Sequence, residues 1–264
     1  MVILITGITS GFGRAMAARL NSDGHMVYGT YRRDSEQIPG VTYLKADVRD
    51  EESVENAVNT VLSNEGSIDV FINNAGMGVG GPLEFTSIDD AGTQMDVNFM
   101  GMVRFLNRVV PVMRRQRHGK IICVSSIGGL MGLPYQGMYS ASKFAIEGYC
   151  EALRLEVRQF GIKVTVINPG DFFTGFTAAR SKNLPPEALA AYPGYSASMA
   201  SIESDERSGL QPDYLARRIS RIVRKRNPAN RYIIATLVQR ASVILKAILP
   251  AKCFDKILGS YYEL

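Results

Sequence analysis

The chain is poor in the side chains that most metal and hydrolase chemistry uses. It has two histidines, His25 and His118, and three cysteines, Cys123, Cys150 and Cys253. Neither histidine stands where it would face a serine at a strand end, which argues against a Ser-His-Asp hydrolase. No Cys/His cluster has zinc spacing, so no metal site is expected. Three cysteines cannot all pair within one chain; they are read as reduced thiols, which points to a cytoplasmic setting. No run of about 18 apolar residues occurs, so a spanning helix is not expected. Val2-Ile3-Leu4-Ile5 follows Met1 directly and leaves no room for a basic n-region and cleavage site, so no signal peptide is expected either. Internal repeats, low-complexity tracts and domain linkers are lacking.

What is present suits a single α/β domain over residues 1–264. The 46% hydrophobic content is enough to cover both faces of a buried sheet. The net charge of +5 is largely local, in Arg114, Arg115, Arg117 and His118, then in Arg217, Arg218, Arg221, Arg224, Lys225 and Arg226. Solvated helix faces explain both clusters more simply than an anionic surface partner. No aromatic–basic module accompanies them, so nucleic acid is not an expected partner.

Apolar runs at 2–5, 26–31, 41–46, 70–73, 120–125 and 163–168 alternate with helical patterns at 13–23, 51–64, 89–116 and 139–160. The runs lack strict polar alternation, as parallel strands covered on both faces do. The pattern predicts a Rossmann-type, doubly wound parallel sheet. Pro111 is expected to bend or shorten the third helix. Residues 171–212 show no clean period and are read as an irregular substrate cover. A basic helix over 213–227, an edge strand over 231–234 and an amphipathic tail over 237–264, broken at Pro250, complete the chain.

Thr6-Gly7-Ile8-Thr9-Ser10-Gly11-Phe12-Gly13 follows a strand and opens a helix. Glycines allow a tight turn and close approach to a pyrophosphate, and the helix N-terminus offers free N–H groups. Gly7, Thr9, Ser10, Gly11, Phe12 and Gly13 are therefore candidate dinucleotide contacts. The second strand ends in Tyr31-Arg32-Arg33-Asp34 rather than in the carboxylate that grips ribose hydroxyls. Arg32 and Arg33 suit a 2′-phosphate, which favours NADP(H) over NAD(H), although Asp34 is a competing carboxylate past the strand end. Asp47 with Val48 ends the third strand, either to meet an adenine amino group or to cap the next helix. Asn74, Ala75 and Gly76 end the fourth, where small residues let a nucleoside lie close.

Tyr139 and Lys143 share a helix face at i, i+4. A phenol beside an ammonium can exchange a proton with an alcohol oxygen, and the ammonium is expected to lower the phenol's pKa. Ser126, thirteen residues upstream, can hold that oxygen, with Ser125 as the rival hydroxyl.

From Ile3 to about Thr174 the chain resembles the short-chain dehydrogenase/reductases. The ordered motifs are Thr6-Gly7-x-x-x-Gly11-x-Gly13, Asn73-Asn74-Ala75-Gly76, Asn98, Ser126, Tyr139-x-x-x-Lys143 and Asn168-Pro169-Gly170-x-x-x-Thr174. Residues 128–145 look more narrowly like the hydroxysteroid and retinol dehydrogenase branch. The resemblance selects Ser126 over Ser125. It implies hydride transfer between a nicotinamide and an alcohol/carbonyl pair, with Tyr139 as acid/base and Lys143 also on the nicotinamide ribose. It further implies Asn98 as a water-holding relay, Pro169, Gly170 and Thr174 against the cofactor, and a homodimer or homotetramer through the helices holding residues 99–113 and 139–160.

Met131, Tyr135, Phe172, Phe173 and Phe176 are candidate substrate contacts beside Ser126 and Tyr139. If they line the pocket, the substrate is a bulky apolar alcohol or carbonyl compound: a steroid, a retinoid or a long-chain ketone or aldehyde. Packing of the cover on the sheet is the alternative use of the same residues. For the tail, core or dimer packing is favoured over peripheral membrane contact. Two other classes stay open, a catalytically silent dinucleotide sensor and an S-adenosylmethionine-dependent methyltransferase.

Overall fold

A computed structural model describes residues 1–262, so the last two residues of the expected tail, 263 and 264, lie outside the described residues. The strands are β1 (Val2–Ile5), β2 (Met26–Tyr31), β3 (Val41–Lys45), β4 (Val70–Asn73), β5 (Gly119–Val124), β6 (Ile162–Pro169) and β7 (Arg231–Ile234). They form one seven-stranded sheet in the order β3-β2-β1-β4-β5-β6-β7, and every pairing is parallel. The order reverses between β1 and β4, which opens the crevice where doubly wound sheets bind ligands.

Successive side chains of a strand point to opposite faces. Val2, Leu4, Phe71, Ile121 and Cys123 therefore pack on one side, against α2 (Glu51–Glu65), α4 (Gly101–Gln116) and α5 (Gly137–Val157). Ile3, Ile5, Val70, Ile72 and Ile122 pack on the other, against α1 (Gly11–Ser22) and α9 (Pro212–Arg224). Covering both faces explains the unbroken apolar runs. Full burial of a ring such as Phe71 or Phe105 contributes about 2–3 kcal/mol each.

The expected helix over 89–116 is two helices. α3 (Ile88–Met95) passes through a π-turn, Asp96–Met100, before α4 begins, and the Gly101 N–H reaches back to the Asp96 carbonyl. Such one-residue expansions are invisible to a 3.6-residue period and occur often at functional sites. α4 runs through Pro111 to Gln116 without being shortened.

The segment 171–212 is helical rather than irregular. It forms α6 (Phe176–Ala179), α7 (Pro186–Ala191) and α8 (Tyr195–Ser208). Only Tyr195, Ser198, Met199 and Ile202 of α8 are buried, and serines at 196, 198 and 201 blur the apolar stripe that would have revealed it.

The tail forms α10 (Leu237–Ile248) and α11 (Ala251–Tyr261), separated by Leu249 and Pro250. α10 starts in a capping box made by Thr236 and Gln239, yet not one of its residues is buried. α10 rests on its own chain through half-buried residues, among them Gln239, Val243 and Leu245, without entering the core. α11 contributes only Phe254. No helix among the described residues is long and apolar enough to cross a membrane.

Candidate active site

The glycine turn lies at the crevice between β1 and β4. Gly7 and Gly11 have φ of +72° and +51°, values that penalise any Cβ. A Cβ on Gly13 would sit 1.9 Å from the Gly7 carbonyl oxygen, so only glycine fits there. Asn74 clamps the turn by donating from Nδ2 to the Thr6 and Gly7 carbonyls, each at 3.0 Å. Thr6 Oγ1 accepts the Asn74 and Ala75 N–H groups at 2.9 and 3.0 Å, locking the end of β1 to the end of β4. Ser10 is the N-cap of α1, but its side chain makes no cap bond, and the first turn holds no acidic residue. The leading amides and the positive end of the helix dipole are therefore open to an anion. These features fit the pyrophosphate of a dinucleotide.

Around this turn the expected contacts divide. Thr174 lies over Gly11, whose Cβ would meet its Cβ at 3.5 Å. Phe12 instead packs edge-on against Phe172, with ring centroids 4.9 Å apart. Phe172 is 4% exposed and belongs to the sheet core, so its expected place at the substrate is corrected. Val48 is buried against Gly101. Gly170 abuts Gln239 of α10, and Pro169 pairs with Ile234. Thr9 is partly buried and faces no described hydrogen-bond partner with its side chain.

Asp47 does not cap α2; Asp50 does, accepting the Glu52 N–H at 3.0 Å. The Asp47 carboxylate is held by the Arg49 guanidinium at 2.7 Å, and that bond keeps its pKa below the usual carboxylate range. Near it a cavity of about 430 Å³ is lined by Arg32 and Lys45, by the acids Asp47, Asp50 and Glu52, and by Ser53. Parallel pairing sets Lys45 beside Tyr31, so a cation the sequence reading missed joins Arg32 at this edge. Arg32 and Arg33 are exposed and form no ion pair with a described residue. A larger cavity, about 940 Å³, lies between α1 and α9, and Phe173 lines it together with Gly11, Arg14, Thr174 and Asp213.

The reacting candidates converge at the ends of β5 and α5. Ser126 Oγ accepts the Gly128 N–H at 3.0 Å, and its own O–H is directed at the Tyr139 phenol oxygen. Ser125 turns away: its hydroxyl sits under Gly129 and leans on the Lys143 carbonyl at 3.4 Å. The geometry thus favours Ser126. Tyr139 is partly buried, and burial pushes its phenol up to about 12, while a hydrogen bond with Ser126 pulls it down. Lys143 Nζ donates to the Val124 carbonyl at 3.0 Å and lies 5.7 Å from the centre of the Tyr139 ring. Burial lowers its pKa to about 8. The expectation that Lys143 draws the phenol downward is corrected: desolvation dominates, and the lowering influences come from Ser126 and Arg180 instead.

Asn98, in the π-turn, is 1% exposed. Its Oδ1 accepts the Met77 N–H at 2.8 Å, and its Nδ2 donates to the Met77 carbonyl and to Ser142 Oγ, both at 3.0 Å. A Cβ on Gly76 would stand 3.3 Å from Asn98 Oδ1 and 3.8 Å from Lys143 Nζ, so glycine keeps the gap between them open. Behind Ser126, Asn168 donates to its carbonyl at 2.9 Å and to Glu147 at 2.6 Å, and Arg231 pairs with Glu147 at 2.8 Å. Glu147 and Arg231 brace the site and were not foreseen. They are single charges 84 positions apart, one on α5 and one on β7, that only the tertiary fold brings together.

Phe176 packs on Tyr139 with centroids 5.5 Å apart. Met131 is buried. Tyr135, at φ +57°, sets its ring edge-on to Tyr192 and Tyr195, 6.3 and 5.1 Å away. That left-handed conformation costs a bulky residue about 1–3 kcal/mol.

A family model described as short chain dehydrogenase matches residues 1–185. The 3-ketodihydrosphingosine reductase of Bacteroides thetaiotaomicron is 46% identical over the full chain and 98% of its own length. Estradiol 17-beta-dehydrogenase 1 of Rattus norvegicus is 41% identical over 66% of this chain, which spans only 55% of that enzyme. Among solved structures, a short chain dehydrogenase/reductase from Burkholderia phymatum in complex with NAD superposes with a TM-score of 0.80 at 26% identity, covering 92% of each chain. These likenesses leave no support for the methyltransferase alternative. The chain belongs to the short-chain dehydrogenase/reductase family, as an NAD(P)-dependent oxidoreductase acting on CH–OH or C=O groups.

Proposed function

We propose that this chain uses NADPH to reduce the ketone of a long-chain 2-amino-1-hydroxy-3-ketone, the 3-ketodihydrosphingosine class. The observation that carries this reading is the 46% identity, end to end, with a 3-ketodihydrosphingosine reductase. The steroid dehydrogenase match leaves a third of the chain without a counterpart, so a steroid or retinoid has weaker support.

Held at the glycine turn and by Lys143, the nicotinamide cofactor would supply the hydride that the carbonyl carbon needs. Tyr139 gives its phenolic proton to the carbonyl oxygen, and a phenol held near pKa 12 is protonated and ready at neutral pH. Ser126 turns its O–H from the Tyr139 phenol to the same oxygen and steadies the charge that develops there. Lys143, bound to Val124 through one proton, keeps two others for the ribose and for returning a proton toward Tyr139. Asn98 lines the gap through which that proton arrives from solvent. Residues 171–212 act as the substrate cover, with Phe176 against the reacting phenol.

Arg32, Arg33 and Lys45 support NADP(H) over NAD(H). They offer cations that pair with no described acid where β2 ends in Tyr31 instead of a carboxylate; of the acids at that cavity Asp47 is held by Arg49 and Asp50 caps α2, which leaves Glu52.

The outer face of α10 and α11 is read as lying on an anionic lipid surface, where such a substrate resides. Leu237, Val238, Ile244 and Ile248 are 60–81% exposed. Arg240, Lys246, Lys252 and Lys256 on these helices face only one acid, Asp255. Exposed apolar side chains on two helices of net positive charge match that partner better than a second copy of an equally cationic face. Self-association through α4 and α5 is a separate proposal, supported by exposed Phe144 and Leu155; light scattering tests it.

NADPH consumption with 3-ketodihydrosphingosine, estrone and retinal, with products identified by mass spectrometry, tests the substrate reading. Reduction of the amino ketone well ahead of the other two is expected. Preference for estrone or retinal overturns it.

A further inference from the structure

Phe176 touches two polar neighbourhoods. One is Tyr139; the other is a buried cluster built on Arg180, whose guanidinium carbon lies 5.7 Å from the Phe176 ring centre. The Arg180 side chain is wholly buried and pairs with Glu206. Glu206 also accepts the Thr177 hydroxyl at 2.7 Å. Among the described residues, Arg180 Nε and Nη1 nevertheless meet no acceptor, and the hydroxyl of Tyr195, 95% buried by its 5% exposure, has no partner either. An aromatic face attracts a guanidinium but does not replace an oxygen acceptor. A buried donor left unpaired costs about 1–3 kcal/mol, so two such side chains, with Arg180 close enough to act on the Tyr195 phenol, call for a ligand oxygen.

The charges do not balance. Arg180 answers Glu206, but Asp171 and Asp205 form no ion pair with a described residue. Asp171 takes only a neutral bond from Gln239, and Asp205 one from the Tyr261 hydroxyl. Burial and the repulsion of Glu206 and Asp205 push Asp171 up to about 6. The cluster lies within electrostatic reach of the reacting phenol, because Glu206, Arg180 and Asp171 all act on Tyr139. Surplus carboxylates call for a cation, just as the unpaired donors call for an oxygen.

We propose that this cluster seats the polar head of the substrate, with its ammonium on Asp171 and Glu206 and its hydroxyl oxygen on Arg180 and Tyr195. The assignment rests on the long-chain ketone reading given above and adds the residues that select its head. It makes Asp171, Arg180 and Tyr195 specificity determinants, while the reacting carbonyl stays with Ser126 and Tyr139.

Steady-state kinetics on the full chain with NADPH test this, using the amino ketone, its N-acetyl derivative and the 1-hydroxy-3-ketone that lacks the amine. The wild type should prefer the free amine by about tenfold or more in kcat/KM, carried mainly in KM. Asp171→Asn should narrow that preference to within about threefold. With the 1-deoxy amino ketone as a fourth substrate, Tyr195→Phe, which deletes a hydroxyl without a described partner, should fold normally and lose the wild-type preference for the 1-hydroxy compound; a preference that survives the substitution removes Tyr195 from the seat. Equal kcat/KM for all three ketones, or an Asp171→Asn loss that falls alike on all three, overturns the inference and leaves the reductase reading standing. Failure to reduce any of them overturns both.

Discussion

Lys143 Nζ stands 5.7 Å from the centre of the Tyr139 ring, one helical turn along α5, while its shortest bond runs to the Val124 carbonyl. Burial drives the two groups in opposite directions, Tyr139 to about 12 and Lys143 to about 8. At pH 7 both hold their protons, which is the form that reduces a ketone. The Lys143 charge is present below about 8 and lost above it. Reduction should therefore be flat up to about pH 8 and fall beyond it, and Lys143→Met should lower kcat about 100-fold or more and erase that fall. A pH profile of kcat checks this; a reduction rate that climbs between pH 7 and 9 contradicts it.

The edge formed by Arg32 and Lys45 bears on cofactor choice. Charge-assisted bonds are each worth about 1.5–3 kcal/mol. Arg32→Glu should weaken NADPH about 10- to 100-fold and Lys45→Glu by a similar factor, with NADH changed far less. Fluorescence titration of both cofactors reads the ratio, and equal losses for the two would remove the case for a 2′-phosphate site.

The glycine turn and the Tyr139–Lys143 pair were legible because their meaning is local: a strand–turn–helix and an i, i+4 spacing. Lys45 was not, because its place beside Tyr31 depends on the register of β2 and β3. Arg180 was hidden for the same kind of reason, since its partner Glu206 lies 26 positions away on a helix whose serines mask its period. The π-turn at Asp96–Met100 shifts one residue without altering composition, so a continuous helix was the natural reading. Phe172 and Phe176 look alike in sequence; only the packing sends one into the sheet core and the other onto Tyr139.

Asp171 should leave a mark on stability. Its folded pKa, about 6, lies above the ordinary 3.8, so the folded state binds more protons between those values. The stability this contributes is full below pH 3.8 and is lost as pH rises through about 6. Asp171→Asn should therefore gain on the wild type as pH rises, by about 1–3 kcal/mol between pH 4 and pH 7. Chemical denaturation of both proteins at the two pH values measures this, and a difference independent of pH contradicts it.

The exposed face of α10 predicts binding to vesicles that contain anionic phospholipid and little binding to neutral ones. Replacing Leu237, Ile244 and Ile248 together by Gln should weaken binding about 100-fold, since no side chain of α10 is buried and folding should be untouched. Co-sedimentation of the full chain at low and high salt is the measurement. A wild type that ignores anionic vesicles ends the membrane reading.

The central claim is that Tyr139 supplies the proton in an NADPH-dependent ketone reduction. The most direct test measures turnover of 3-ketodihydrosphingosine and the NADPH dissociation constant for wild type and Tyr139→Phe. The account predicts that loss of the phenolic O–H lowers kcat by about 1,000-fold or more while NADPH binding changes less than about threefold. A Tyr139→Phe enzyme that turns over at the wild-type rate contradicts the mechanism.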